Sequence, residues 1–462
     1  MTSASSMRRN LAPRAMCSNA ARPRRACPAV LPRRLIAGAL RGNLVARPGG
    51  SIPGRTLRRP SHLIDPPPMT FSENVARLQP SATMAVSSLA KRLRAEGRDI
   101  IDLSAGEPDF DTPSWLVDAA VEGVRAGATR YTPAAGMPEL RAAIAQSLVA
   151  RGADAAWSDI VVTAGAKQAL FNACFTFFGP GDEVMIASPY WTSYPEMVTL
   201  SRAEPVFVQG PPEENFLLRP EDLEAARTER TRGLIMCSPS NPTGAVYTRD
   251  ELAAVARWAR DNDVRLINDE IYRHIHFAGP GTAPGLLELA PGDLGPFVLI
   301  DGVSKAFAMT GWRIGFSYCE GAGAKKMAAF QSHTTSNPAT PSQLAALAAY
   351  ANVERSLGDI AEMAEAYKRR QRLVVSLMSE LLPELSFVEP GGAFYLFFRV
   401  DAACGPGEGS SSFCTRMLEE AGVALVPGSA FGDDRYARMS FATSDDLLSE
   451  AIRRMARVLG GG

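Results

Sequence analysis

From Ile160 onward the chain alternates short β-branched runs with longer stretches of helical periodicity, and no other feature limits the fold as tightly. Residues 160–163 read as a strand, 167–178 as a helix and 183–187 as the next strand, followed by a helical stretch after Tyr194. The pattern continues with a strand at 205–208, a helix at 220–227, a strand at 233–237, a helix at 249–262 and a strand at 264–268. Later strands are predicted at 298–301 and 314–318. Strands separated by helices in this way predict a largely parallel sheet covered by helices on both faces.

Beyond Pro341 the pattern changes. Residues 342–381 are helix-compatible with at most one break, and 394–400, 423–426 and 438–441 read as strands of a smaller α+β unit. A chain of 462 residues exceeds one ordinary core, so two domains are expected. The predicted organisation is a large domain over 116–345 and a smaller domain built from both ends, 69–115 and 346–462.

Residues 1–68 stand apart, with 13 Arg, no Lys and one acid, Asp65. Taking these away from the 49 bases and 49 acids leaves 36 against 48, an acidic body that repels nucleic-acid phosphates. The segment reads as translated sequence upstream of a start at Met69 or as an organellar transit peptide, with a basic nucleic-acid arm disfavoured by the lack of Lys and interleaved aromatics, and is expected to be disordered. Seven scattered cysteines without a CxxC suit a reducing compartment, hence the cytoplasm, or a plastid if the leader is a transit peptide. No apolar run approaches the ~20 residues that span a bilayer. His274 and His276 would point the same way on a strand, a weak metal signal beside ordinary packing.

The residues that carry chemistry cluster at predicted strand ends. Ser304-Lys305-Ala306-Phe307-Ala308-Met309-Thr310-Gly311-Trp312-Arg313-Ile314-Gly315 follows the strand ending at Asp301. A lysine there sits where open α/β sheets bind ligands. Arg313 offers a planar fork suited to phosphate. Taken alone, Lys305 reads as a solvated surface lysine; the surrounding string singles it out. Thr163-Ala164-Gly165-Ala166-Lys167 passes from strand into helix, and free N–H groups at a helix start bind anions. Ser238-Pro239-Ser240-Asn241-Pro242-Thr243-Gly244 closes a strand with turn formers, and Asp269-Glu270-Ile271-Tyr272 closes another, where a carboxylate can equally be a helix cap. Gly321-Ala322-Gly323 lacks the third glycine of a dinucleotide fingerprint.

The string Ser-Lys-x-Phe-x-x-x-Gly-x-Arg-x-Gly resembles the lysine signature of fold-type I, class I pyridoxal-phosphate aminotransferases, and the resemblance runs through nearly all of residues 69–462. It implies an α/β fold with a mostly parallel seven-stranded sheet, pyridoxal 5'-phosphate as cofactor, and a homodimer with shared active sites. Lys305 would be the Schiff-base lysine, with Ser304, Arg313, Gly165, Ala166 and Lys167 around the phosphate. The resemblance further implies that Asp269 faces the pyridine nitrogen, that Tyr272 and Asn241 contact the phenolic oxygen, and that Trp191, in Ser188-Pro189-Tyr190-Trp191, lies flat against the ring. Tyr131, in Arg130-Tyr131-Thr132, would reach the neighbouring subunit's phosphate.

For the substrate, Arg438 and Asn241 would meet the α-carboxylate, and Gly106, in Ala105-Gly106-Glu107-Pro108-Asp109-Phe110, would cover it. Lys167 would take a distal carboxylate, and Thr83, in Pro80-Ser81-Ala82-Thr83, matches members that accept prephenate. The expected activity is amino transfer between aspartate or glutamate and 2-oxo acids, with prephenate as a further acceptor. A carbon–sulfur lyase is the alternative on the same cofactor. A cofactor-binding regulator that uses residues 1–68 as a contact arm is the alternative outside catalysis, although 68 Pro-rich residues cannot make the winged helix such regulators carry. In one place the sequence departs from many relatives: Gly302 stands where they place a phosphate-binding hydroxyl.

Overall fold

The computed structural model describes residues 70–78, 82–279 and 281–460. Residues 1–68, with their expected disorder, lie outside the described residues, as do Pro80 and Ser81; of Thr83 only the helical backbone is described.

The strands, in chain order, are β1 (Ile101–Asp102), β2 (Ile160–Thr163), β3 (Glu183–Ser188), β4 (Glu204–Gln209), β5 (Thr231–Cys237), β6 (Arg265–Asp269), β7 (Phe297–Gly302) and β8 (Gly315–Tyr318). They continue with β9 (Phe387–Val388), β10 (Tyr395–Arg399), β11 (Val423–Ala424), β12 (Val426–Pro427) and β13 (Tyr436–Ser440). Seven of them form one sheet in the order β2-β8-β7-β6-β5-β3-β4, parallel throughout except for β8, which runs against both neighbours.

Both faces of this sheet are buried, which is why its strands read as continuous apolar runs. Ile186, Ile235, Ile267 and Val298 pack on one side with Ala169, Leu170 and Ala173 of helix α1 (Ala166–Phe177). Met185, Leu234, Met236 and Leu266 pack on the other with Leu252, Val255 and Ala256 of helix α2 (Arg249–Asp261). The sequence dictates where α2 begins. The Thr248 hydroxyl accepts from the Glu251 amide at 3.3 Å, while the Glu251 carboxylate accepts from the Thr248 amide at 2.7 Å, a reciprocal cap.

The predicted helical run after Pro341 is two helices, α3 (Thr340–Ala351) and α4 (Val353–Leu381), broken at Asn352. Met363, Tyr367, Arg370, Val374 and Met378 recur along α4 at helical spacing and face the C-terminal core. That core is completed by helix α5 (Asp445–Leu459) and by a four-stranded sheet, β12-β13-β10-β9. The single strand expected over 423–426 is in fact two strands in two sheets. β11 pairs in parallel with β1, bringing residues near the start of the described chain against its C-terminal part, whereas β12 joins β13 antiparallel. Buried Leu425 is the crossing point between them. His274 lies in a turn, not on a strand, so it and His276 share no strand face. No helix among the described residues is long and apolar enough to cross a membrane.

Candidate active site

Because β8 alone is reversed, its first residue, Gly315, pairs with the last residues of β2 and β7, Thr163 and Gly302. One edge of the sheet therefore carries the carboxyl ends of β2, β3, β5, β6 and β7 together with the start of β8. The segments beginning at Thr163, Ser188, Ser238, Asp269 and Ser304 all leave from this edge, where open α/β sheets hold ligands. A cavity of about 450 Å³ opens there, and its wall includes Gly106, Ala166, Lys167, Trp191, Asn241, Asp269, Tyr272, Ser304, Lys305, Arg313 and Arg438. Gly165 lies behind Arg313: a Cβ there would collide with the guanidinium. Tyr131 does not line the cavity and is 93% exposed in the single chain.

Lys305 follows β7 in the short helix Val303–Ala306, and its Nζ donates to the Gly106 carbonyl at 2.5 Å. Burial, helped by the charges of Arg313 and Arg438, pulls its ammonium down to about 8 against the opposing pull of Glu107 and Asp269. An amine so tuned is partly neutral near physiological pH, as a nucleophile or proton carrier must be.

Asp269 ends β6, is 3% exposed, and accepts from the Tyr194 hydroxyl at 2.8 Å and the Ile271 amide at 3.2 Å. Both partners are neutral, and burial raises the carboxyl to about 6. A buried carboxylate held this way is matched by a ligand cation. The next residue, Glu270, is fully buried and accepts from Arg151 at 2.5 Å, Asn268 at 3.0 Å and the Leu286 amide at 3.0 Å, which fixes the backbone on which Asp269 sits.

Arg438, on β13, presents the opposite mismatch. It is 2% exposed, its Nη1 donates to Asn241 Oδ1 at 2.9 Å and its Nη2 to the Ser104 carbonyl at 2.8 Å, and its Nε finds no acceptor among the described residues. No carboxylate pairs with it among the described residues; the rings of Tyr395 and Phe431 lie at 4.3 and 4.9 Å. Burial lowers its pKa. An uncompensated buried guanidinium facing a cavity calls for an anionic ligand group.

The third anchor lies at the start of α1. Arg313, in a left-handed conformation with φ 56°, donates to the Thr310 carbonyl at 2.9 Å and to that of Ala164 at 3.4 Å, beside the Gly165 turn. The first amides of α1 and this guanidinium together form an anion site of the kind that holds phosphate. Lys167 stands over the Trp191 ring at 4.8 Å, its pKa lowered by burial and by Arg313. Tyr272 and Tyr395 share a hydroxyl–hydroxyl bond of 2.8 Å.

Sequence reasoning missed Tyr194, Tyr395 and Ser104. Each acts on a predicted site residue, and none stands in a motif; only the fold, across separations of 75, 123 and 334 residues, supplies the contact. It also missed Met84, Ser87 and Lys91, which the helix Ala82–Ala95 contributes to the cavity wall.

Comparison with known proteins gives a consistent picture. The profile of the family described as "Aminotransferase class I and II" matches residues 98–455. The chain is 40% identical to an aspartate aminotransferase of Geobacillus stearothermophilus, over 85% of this chain and 99% of that protein. It is 43% identical to an aspartate/prephenate aminotransferase of Thermus thermophilus, over 84% and 99%. Among solved structures, the aspartate aminotransferase of Thermus thermophilus with maleate superposes with a TM-score of 0.79 at 41% identity, covering 84% of this chain and all of that one.

Proposed function

From the premise that this chain belongs to the class I and II aminotransferases, we propose that it moves the α-amino group of aspartate or glutamate to a 2-oxo acid, with oxaloacetate, 2-oxoglutarate and prephenate as acceptors. The observation that carries this reading is Arg438: a buried guanidinium without a carboxylate partner among the described residues, sharing one cavity with Lys305 and Asp269.

The residues fit pyridoxal 5'-phosphate. Asp269, a buried carboxylate with neutral partners, suits a protonated ring nitrogen; Arg313 and the Ala166 and Lys167 amides, with Ser304 nearby, suit the phosphate; Trp191 suits the ring face. Bound there, the cofactor supplies an aldehyde that captures the substrate amine and a ring that accepts the electron pair released at Cα.

The protein's own groups do the rest. Lys305 would hold the cofactor covalently, and its amine, held near neutrality by burial, would carry the proton at the substrate Cα. Asp269 would keep the ring nitrogen protonated, while Asn241 and Tyr272 would hold the phenolic oxygen. Arg438 grips the α-carboxylate bidentately, with Asn241 Oδ1 already bonded to it to set its plane. Gly106 covers the substrate, and Lys167 takes the second carboxylate, which favours amino transfer over carbon–sulfur cleavage of a monocarboxylic thiol amino acid. Thr83 is assigned to prephenate recognition on its sequence setting. The exposed Tyr131 is assigned to the phosphate of a partner subunit, which makes the working form a homodimer. Free cysteines among the described residues support the cytoplasm as the compartment.

Replacing Lys305 by Ala tests the assignment. The variant is expected to lose the visible absorbance of covalently held cofactor and to lose turnover by about a thousandfold or more. Absorbance and turnover like those of the unmodified chain would overturn it.

A further inference from the structure

The strap from Ser104 to Thr112 joins β1 to the helix Ser114–Arg125 and lies on the site. Its Ser104 and Gly106 carbonyls accept from Arg438 and Lys305, and its Glu107 accepts from Thr310 at 3.2 Å. At its entry, Leu103 is tied into the sheets on both sides, donating to Ala424 at 3.0 Å and accepting from Ser440 at 2.7 Å. Between Ser104 and Thr112 the strap makes no backbone–backbone hydrogen bond among the described residues. Side chains alone hold it.

Thr112 ties its far end to the lysine loop, donating to the Ala308 carbonyl at 2.8 Å and accepting from Trp312 at 3.0 Å. Its middle rests on Asp109. Both carboxylate oxygens of Asp109 accept from Arg370 of α4, at 2.7 and 2.9 Å, and Tyr367 adds a bond at 3.3 Å. Phe110 packs edge-on against Tyr367, 5.7 Å between ring centres. Arg370 is buried while Asp109 keeps an exposed face, so the guanidinium half of this bidentate fork is shielded from solvent.

We propose that Asp109 is a positioning residue: clamped to Arg370, it sets where the strap presents its carbonyls to Lys305 and Arg438, and thereby the readiness of the site for a dicarboxylate substrate. The proposal rests on the aminotransferase reading for the identity of that substrate. Asp109 does not line the cavity, so its loss acts through the strap. Arg370 keeps a second acceptor, Asp445, at 3.4 Å, so removing Asp109 does not strand a buried charge.

The test compares Asp109→Ala with the unmodified, cofactor-loaded protein. Binding of maleate, a non-reacting dicarboxylate, is expected to weaken about tenfold, and KM for aspartate to rise by a similar factor with a smaller fall in kcat. Amide hydrogen exchange is expected to quicken over residues 104–112 and to stay unchanged in β3, while cofactor absorbance persists. Asp109→Glu should recover part of the loss. Maleate affinity within twofold of the unmodified protein, or faster exchange spread through α4 and the sheet, would overturn the proposal. Should the unmodified protein bind no maleate, the substrate reading fails, and the exchange contrast over 104–112 still decides whether Asp109 holds the strap.

Discussion

Burial lifts the Asp269 carboxyl from 3.8 to about 6, so in the cofactor-free protein its negative charge opposes folding. Between those two values the folded state binds more protons than the unfolded one; stability therefore falls as pH rises through the window, and the cost is complete above about 6. Asp269→Asn, which keeps an acceptor for Tyr194, is expected to stabilise the cofactor-free chain at pH 8 by on the order of 2–3 kcal/mol and to have no such effect near pH 4. Adding the cofactor should reverse the sign at pH 8, since the native carboxylate then meets a ring cation. Thermal melts of both chains at the two pH values, with and without cofactor, check this. Lys305, Asp269, Asn241, Arg313 and Arg438 were legible in the sequence because each sits in a short motif. Tyr194 was not, because a tyrosine three residues past Trp191 carries no mark of the carboxylate it will meet 75 residues later.

At the scale of elements, the meeting of β2, β8 and α1 sets the side of the site proposed for the phosphate. Gly315 is packed so closely that a Cβ would collide with the Ala166 amide and come within 2.8 Å of the Ala166 Cα. Gly315→Ala is expected to push the start of α1 away and to weaken cofactor binding about tenfold or more, whereas Gly311→Ala, with nothing within 4 Å of its Cβ, should change little. Equilibrium titration of the cofactor distinguishes the two. The strands of the large sheet were readable because burial on both faces makes each a compact apolar run, as in Ile160-Val161-Val162-Thr163. The reversal of β8 was not readable, since apolar patterning marks a strand and leaves its direction open. Strands of two residues, such as β1, β9, β11 and β12, are too short to show alternation, which is why 423–426 read as one strand.

Over the whole molecule, residues 69–462 carry 48 acids against 36 bases, yet the cavity wall carries Lys91, Lys167, Lys305, Arg313 and Arg438 against Glu107 and Asp269. Cationic groups gathered in a concave, low-dielectric site raise the local concentration of anions despite the acidic balance of these residues. Amino acids and oxo acids with two carboxylates suit that field. The central claim is that Lys305, Asp269 and Arg438 act together to exchange an amino group in two separate halves, and a single-turnover experiment reads it most directly. Aspartate added alone to the cofactor-loaded protein should change the cofactor absorbance once, releasing about one oxaloacetate per chain and no ammonia, and 2-oxoglutarate added afterwards should restore the spectrum. Continuous release of ammonia without any oxo acid, or no spectral change with aspartate or glutamate, would contradict the account.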